Sequence, residues 1–166
     1  PPMQIPSFQS KDLGPLYAIN QAGVPGVGHA ETEEDLGALI SMGTCLVAIS
    51  DDRIPIGFIN LVAPGTAAYS SDNLRWIEDW TAREKVSAHY VDRIAISETA
   101  RGQRLGEALY RAAFEAAKPN VYLCCEVNTD PDNPGSHRFH QRLGFTAIGD
   151  HRYRANYAVR FYARDL

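Results

Sequence analysis

The stretch Arg101-Gly102-Gln103-Arg104-Leu105-Gly106 carries the residue types of an anion site. It follows the apolar run Ile94-Ala95-Ile96 and leads into Leu105, Leu109, Ala112, Ala113 and Ala116, which recur at helical spacing. A strand that enters a helix through such a loop leaves backbone N–H groups without helical partners, and the helix dipole favours negative charge there. Glycine lets a phosphate approach the main chain. Arg101 and Arg104 add guanidinium groups suited to phosphate oxygens. The stretch is not a P-loop, which needs Gly-Lys-Ser/Thr, nor the dinucleotide GxGxxG fingerprint. Its structural alternative is an exposed helix start with solvated arginines.

The elements that must hold this loop follow from pattern and punctuation. Asp12 to Ala22 predicts a short helix, delayed or interrupted by Pro15 and ended by Gly23-Val24-Pro25-Gly26. Thr32 can cap a second helix whose first turn, Glu33-Glu34-Asp35, suits the dipole. The apolar runs 45–49 and 56–62, separated by a tight turn, predict an antiparallel hairpin. Residues 64–88 read as a long loop with a helical piece near Leu74–Glu84. A strand over His89–Ile96, a helix from Leu105 to about Lys118 and a continuous apolar strand over Val121–Val127 come next. Ser136 to Leu143 reads as a helix ended by Gly144, and Thr146 to Arg164 as one or two closing strands. The alternation predicts an α/β fold, as one domain over residues 1–166.

Composition narrows the function classes. The 166 residues hold 16 Lys plus Arg against 20 Asp plus Glu, a net charge of −4. That balance argues against a general nucleic-acid or membrane-surface binder. The charge is uneven: residues 1–90 carry 5 basic and 11 acidic groups, and residues 91–166 carry 11 basic and 9 acidic groups. The anion loop lies in the positive half. Cys45, Cys124 and Cys125 do not make a disulfide framework, because neighbouring strand residues point to opposite faces. A reducing, cytoplasmic setting is expected. No apolar run approaches the roughly 20 residues of a membrane span.

The loop, in the register Arg101 to Gly106, resembles the phosphate loop of the GCN5-related N-acetyltransferase (GNAT) superfamily, with Arg104 where that family usually has glycine. The order Glu126, Asn133, Ser136, Phe139, Gly144 and Phe145 resembles its closing element, with His140 at the usual tyrosine. The resemblance implies a mixed, mostly antiparallel sheet flanked by helices, in which strands four and five splay apart. It implies acetyl-coenzyme A as donor and an amine of a small molecule, peptide or protein as acceptor. Homodimers are common in such proteins, and no metal is required.

On the same basis, the diphosphate is expected on Arg101, Gly102, Gln103, Arg104, Leu105 and Gly106. The pantetheine arm is expected along Ile94, Ala95 and Ile96, with a main-chain N–H polarising the thioester carbonyl, and Asn133 on the cofactor arm. Glu126 matches the family's general base, and its apolar strand should raise its pKa. His140 replaces the acid tyrosine, and imidazole titrates at about 6.5.

Other residues carry weaker expectations. Tyr69, Asn73 and Trp76 could line an acceptor pocket or pack a loop. Asp92 and Arg93 could pair as ions at the strand start, and Glu126 could be a structural carboxylate beside Arg93. His137 and His140, three apart with Asp130 and Asp132 nearby, lack a well-spaced third metal ligand. Two rival functions stand beside the acetyltransferase. One is a non-catalytic acyl-coenzyme A-binding or regulatory module. The other is an esterase or thiol hydrolase, disfavoured by the absent Gly-x-Ser-x-Gly elbow.

Overall fold

The computed structural model describes residues 4–24 and 27–166. Its elements are α1 (Leu13–Ala22), α2 (Glu33–Ser41), β1 (Thr44–Ile49), β2 (Pro55–Val62), α3 (Asp72–Glu84), β3 (Ala88–Ile96), α4 (Leu105–Ala117), β4 (Tyr122–Asp130), α5 (Pro134–Arg142), β5 (Thr146–Arg154) and β6 (Tyr157–Asp165). The strands form one sheet in the order β1-β2-β3-β4-β6-β5. β3 and β4 pair in parallel, whereas β1/β2, β4/β6 and β5/β6 are antiparallel. The sheet is therefore mixed and mostly antiparallel, as expected. The parallel ladder extends over Ala88–Tyr90 against Tyr122–Cys124.

The chain divides within β3 into two compact units. One comprises residues up to Ser70 with Val91–Ala116, the other Ser71–Tyr90 with Ala117–Leu166. In the first, Leu16 and Ile19 of α1 and Leu36 and Ile40 of α2 pack with Cys45, Val47, Phe58 and Ala95 of the strands. α1 starts at Leu13, so Pro15 falls in the first turn, where its missing N–H has no helical partner to lose. Of the predicted stop Gly23-Val24-Pro25-Gly26, Pro25 and Gly26 lie outside the described residues. α2 is capped as expected, the Asp35 N–H donating to Thr32 Oγ1 at 3.1 Å. The predicted hairpin forms, with Thr44 opposite Leu61 and Ala48 opposite Gly57.

In the second unit, α3 buries Leu74, Ile77 and Trp80, and β4 buries Leu123, Cys124, Cys125 and Val127. α3 begins two residues earlier than its apolar pattern suggests, because Ser71 Oγ accepts the Leu74 N–H at 3.1 Å. α5 also starts early: Asn133 Oδ1 accepts the Ser136 N–H at 3.2 Å, and Pro134 supplies a preset φ at the first position. β4 runs past Val127 because Asn128 and Asp130 still pair with Val159 and Ala158 of β6. The tail makes two strands. Gly149 of β5 gives Trp76 room to pack: a Cβ there would lie 2.7 Å from the indole Cζ2. The three cysteines form no disulfide and are buried. Among the described residues no helix is long and apolar enough to cross a membrane.

Candidate active site

In the first unit, β3 ends at Ile96, a single 3-10 turn spans Glu98–Ala100, and α4 begins at Leu105. The Arg104 carbonyl accepts the Ala108 N–H at 3.2 Å, the first bond of the helix. Two loop residues are left-handed, Gly102 with φ +82° and Arg104 with φ +56°. No atom lies within 4 Å of where a Cβ on Gly102 would stand, so the backbone is open there. A left-handed turn at position 104 suits glycine, which has no Cβ to crowd the following carbonyl. Arginine meets the same demand at a cost of about 1–2 kcal/mol. Arg101 through Arg104 are exposed, and Leu105 is buried and anchors the helix start.

The segment before this loop is held by a buried polar network. The Asp92 side chain, 1% exposed, accepts hydrogen bonds from the Tyr69 hydroxyl, from Asn60 Nδ2 at 3.1 Å and from Arg93 Nε at 2.7 Å. Arg93 Nη1 donates onward to Asn20 Oδ1 at 3.0 Å and to the Gly28 carbonyl at 2.8 Å. The expected Asp92–Arg93 ion pair is present. Tyr69 is buried in this network.

In the second unit, Glu126 is half-buried on β4, and the Tyr90 hydroxyl donates to its Oε1 at 2.5 Å. The β4–β6 register sets Glu126 opposite Phe161 and Cys125 opposite Tyr162. Residues directly opposite share a sheet face, so Glu126 and Tyr162 lie on opposite faces. His140 packs on the Tyr162 side, its ring 6.2 Å from the phenol ring and nearly parallel to it. The two expected catalytic residues therefore flank the strand from its two faces.

His140 is 6% exposed, and its Nδ1 stands 2.7 Å from the Ser136 carbonyl. A carbonyl only accepts, so Nδ1 carries the proton. Burial lowers the imidazole pKa, the Ser136 carbonyl opposing it and His137 adding to it. His137 Nε2 likewise donates to the Asn128 carbonyl at 3.0 Å, and its Nδ1 is hydrogen-bonded with the Tyr162 hydroxyl at 2.6 Å. This His137–Tyr162 bond escapes sequence reasoning. Its one local signal is the three-residue spacing of the histidines, which puts both on the buried face of α5. Among the described residues no group of three or more His, Cys, Asp or Glu side chains could hold a metal ion.

The remaining candidates separate. Asn133 caps α5 through Oδ1, which leaves its amide N–H groups as donors. Asn73 Oδ1 accepts the Tyr153 hydroxyl at 2.6 Å. Burial, Tyr157, Asp72 and Glu126 push that phenol up to about 12, so it stays protonated. Trp76 lies flat on Phe161, 3.9 Å between ring centres, which is a packing role.

The two depressed histidines have a consequence for stability. Burial lowers the pKa of His89 and of His140 below the ordinary 6.5. Below that value the unfolded chain binds protons that the folded chain refuses, so folding stability falls with falling pH. Urea midpoints are expected to drop from pH 7 to pH 5, and His140→Phe to flatten that slope.

Solved N-acetyltransferase structures share this architecture. Ard1 from Thermoplasma volcanium superposes with a TM-score of 0.73 at 19% identity, over 99% of this chain and 97% of that one. The ribosomal-protein-S18-alanine N-acetyltransferase of Escherichia coli gives 0.72 at 15%, over 99% and 94%. A phosphinothricin acetyltransferase of Sinorhizobium meliloti, in complex with acetyl-coenzyme A, gives 0.71 at 16%, over 99% and 88%. These likenesses concern the fold. No curated protein sequence matches the chain. The family model of the Acetyltransferase (GNAT) family matches residues 16–145, and the chain belongs to that family. It is an acyltransferase with acetyl-coenzyme A as co-substrate.

Proposed function

We propose that the protein transfers the acetyl group of acetyl-coenzyme A to a primary amine, by direct attack within a ternary complex. The observation that carries this reading is the half-buried Glu126 carboxylate, fixed by Tyr90 at 2.5 Å. An amine reaches the enzyme as an ammonium ion, and Glu126 takes its proton. The nitrogen lone pair then attacks the thioester carbon, the C–S bond breaks and the thiolate leaves, and the nitrogen sheds its second proton to solvent to give the neutral amide. A covalent acetyl-enzyme finds little support, since burial pushes the Cys45 and Cys124 thiols up to about 12.

The diphosphate rests on residues 101–106, where open backbone, helix N-terminus and two guanidinium groups coincide. Backbone N–H groups in Ile94–Ile96 polarise the thioester carbonyl, and the Asn133 amide donates to the pantetheine arm. His140, as imidazolium, protonates the thiolate. Because burial lowers its pKa, that contribution belongs to the acid side of the profile and fades as pH rises towards neutral. The acceptor is a small-molecule amine or a protein amine.

Two hydrogen bonds from charged groups are worth about 1.5–3 kcal/mol each at most. Replacing Arg101 and Arg104 together by Ala is therefore expected to raise the KM for acetyl-coenzyme A by about tenfold or more, with kcat little changed. The function itself is tested by thiol release over a panel of amines. Amine-dependent release of coenzyme A with formation of the N-acetyl product is expected. Binding of acetyl-coenzyme A without release for any amine would favour the non-catalytic module.

A further inference from the structure

We propose that Asp92 and Arg93 are positioning residues, whose buried network fixes the backbone of Ile94–Ile96 in one geometry towards the thioester carbonyl. This rests on the reading above, in which those backbone N–H groups polarise that carbonyl. The ladder between β3 and β4 ends at Tyr90. Beyond Tyr90 β3 keeps β2 as its sheet neighbour on one side, with the Ser97 N–H donating to the Ile56 carbonyl at 2.8 Å, and a strand held from one side gains from further constraints that keep a donor aimed within a few tenths of an ångström. Asp92 and Arg93 follow two and three residues later, directly before Ile94. They are tied to four distant points: Asn20 of α1, the Gly28 carbonyl, Asn60 of β2 and Tyr69.

Stability alone does not account for such a network. Removing two charges from water offsets most of what their pairing returns, and apolar residues of similar size often serve a core as well. The network also leaves Asn60 Oδ1 buried with no hydrogen-bond partner among the described residues, a cost that an apolar core would avoid. What a connected polar network does supply is a single arrangement, because each member has directional partners. A donor group that acts by preorganisation benefits from that, and a misplacement of about 1 Å can cost about 10²-fold in rate.

The test needs no acceptor. The carbonyl stretch of acetyl-coenzyme A labelled with carbon-13 at the acetyl carbonyl is measured by infrared difference spectroscopy on the full-length protein. Wild type, Arg93→Lys and Tyr69→Phe are compared, and calorimetry gives the Kd of each. Lysine keeps the charge but loses the planar fork that reaches Asp92, Asn20 and Gly28 together. Tyr69→Phe removes one bond to Asp92, and it carries the test if the lysine variant does not fold.

Wild type is expected to shift the stretch to lower frequency, and the variants to lose most of that shift with an unchanged Kd. A full shift in both variants, with only the thermal midpoint lowered, would show a merely structural role and overturn the proposal. No shift in wild type would remove the backbone-donor reading and the proposal with it.

Discussion

Glu126→Gln is expected to lower kcat by about 10²–10⁴-fold, the range for a positioned general base. Glutamine keeps the shape and the hydrogen bond from Tyr90 but cannot take a proton at neutral pH. The Kd for acetyl-coenzyme A should be unchanged, since the proposed diphosphate contacts are on residues 101–106. The deficit should also shrink with rising pH. Amine acceptors titrate near 10, as lysine does, so more of the acceptor arrives already deprotonated at alkaline pH. Steady-state kinetics from pH 6.5 to 9.5 with a reactive amine checks both effects. A variant as fast as wild type at pH 7 would remove Glu126 from the mechanism.

Arg93→Ala should have the largest effect on folding. It leaves the Asp92 carboxylate, at 1% side-chain exposure, without its charge partner, and strips Asn20 Oδ1 and the Gly28 carbonyl of a donor. Removing one partner of a buried ion pair costs about 3–5 kcal/mol. For a chain of this size that is a drop in Tm of about 10 °C. Arg111→Ala is the control, because its pair with Glu107 is an exposed helical pair of small value. Scanning calorimetry distinguishes the two. Equal midpoints would mean that the network contributes no more than a surface contact.

The parts of the site that could be read from the sequence are local. Arg101–Gly106 is recognisable because strand, loop and helix are contiguous, and Asn133 and Pro134 because a cap and its helix are neighbours. The hairpin, α4 and the closing strands follow from period and punctuation in the same way. Structure and sequence pattern differ mainly at element ends, where a capping side chain or a partner strand extends them: Ser71 for α3, Asn133 for α5 and β6 for β4.

What could not be read is non-local. Arg93 meets Asn20 across 73 residues, and Tyr90 meets Glu126 across 36. His137 meets Tyr162 across 25. Nothing in the composition of either segment marks such pairs. Trp76 illustrates the converse, since an exposed-looking aromatic in a polar stretch proves to be packed on Phe161 over a glycine. Arg104 is intermediate. Its departure from glycine is visible in the sequence, but only the backbone angle shows that an arginine bears the strain the glycine would avoid.

Direct transfer to an amine leaves no acetyl group on the protein at any stage, and intact-mass spectrometry of a single turnover reads this out. Protein and carbon-13 acetyl-coenzyme A are mixed, with and without an amine that supports thiol release, and quenched within the turnover time. Unmodified protein is expected in both samples, and the labelled N-acetyl product only where amine is present. A protein population heavier by one acetyl group, formed without amine and discharged when amine is added, would contradict direct transfer.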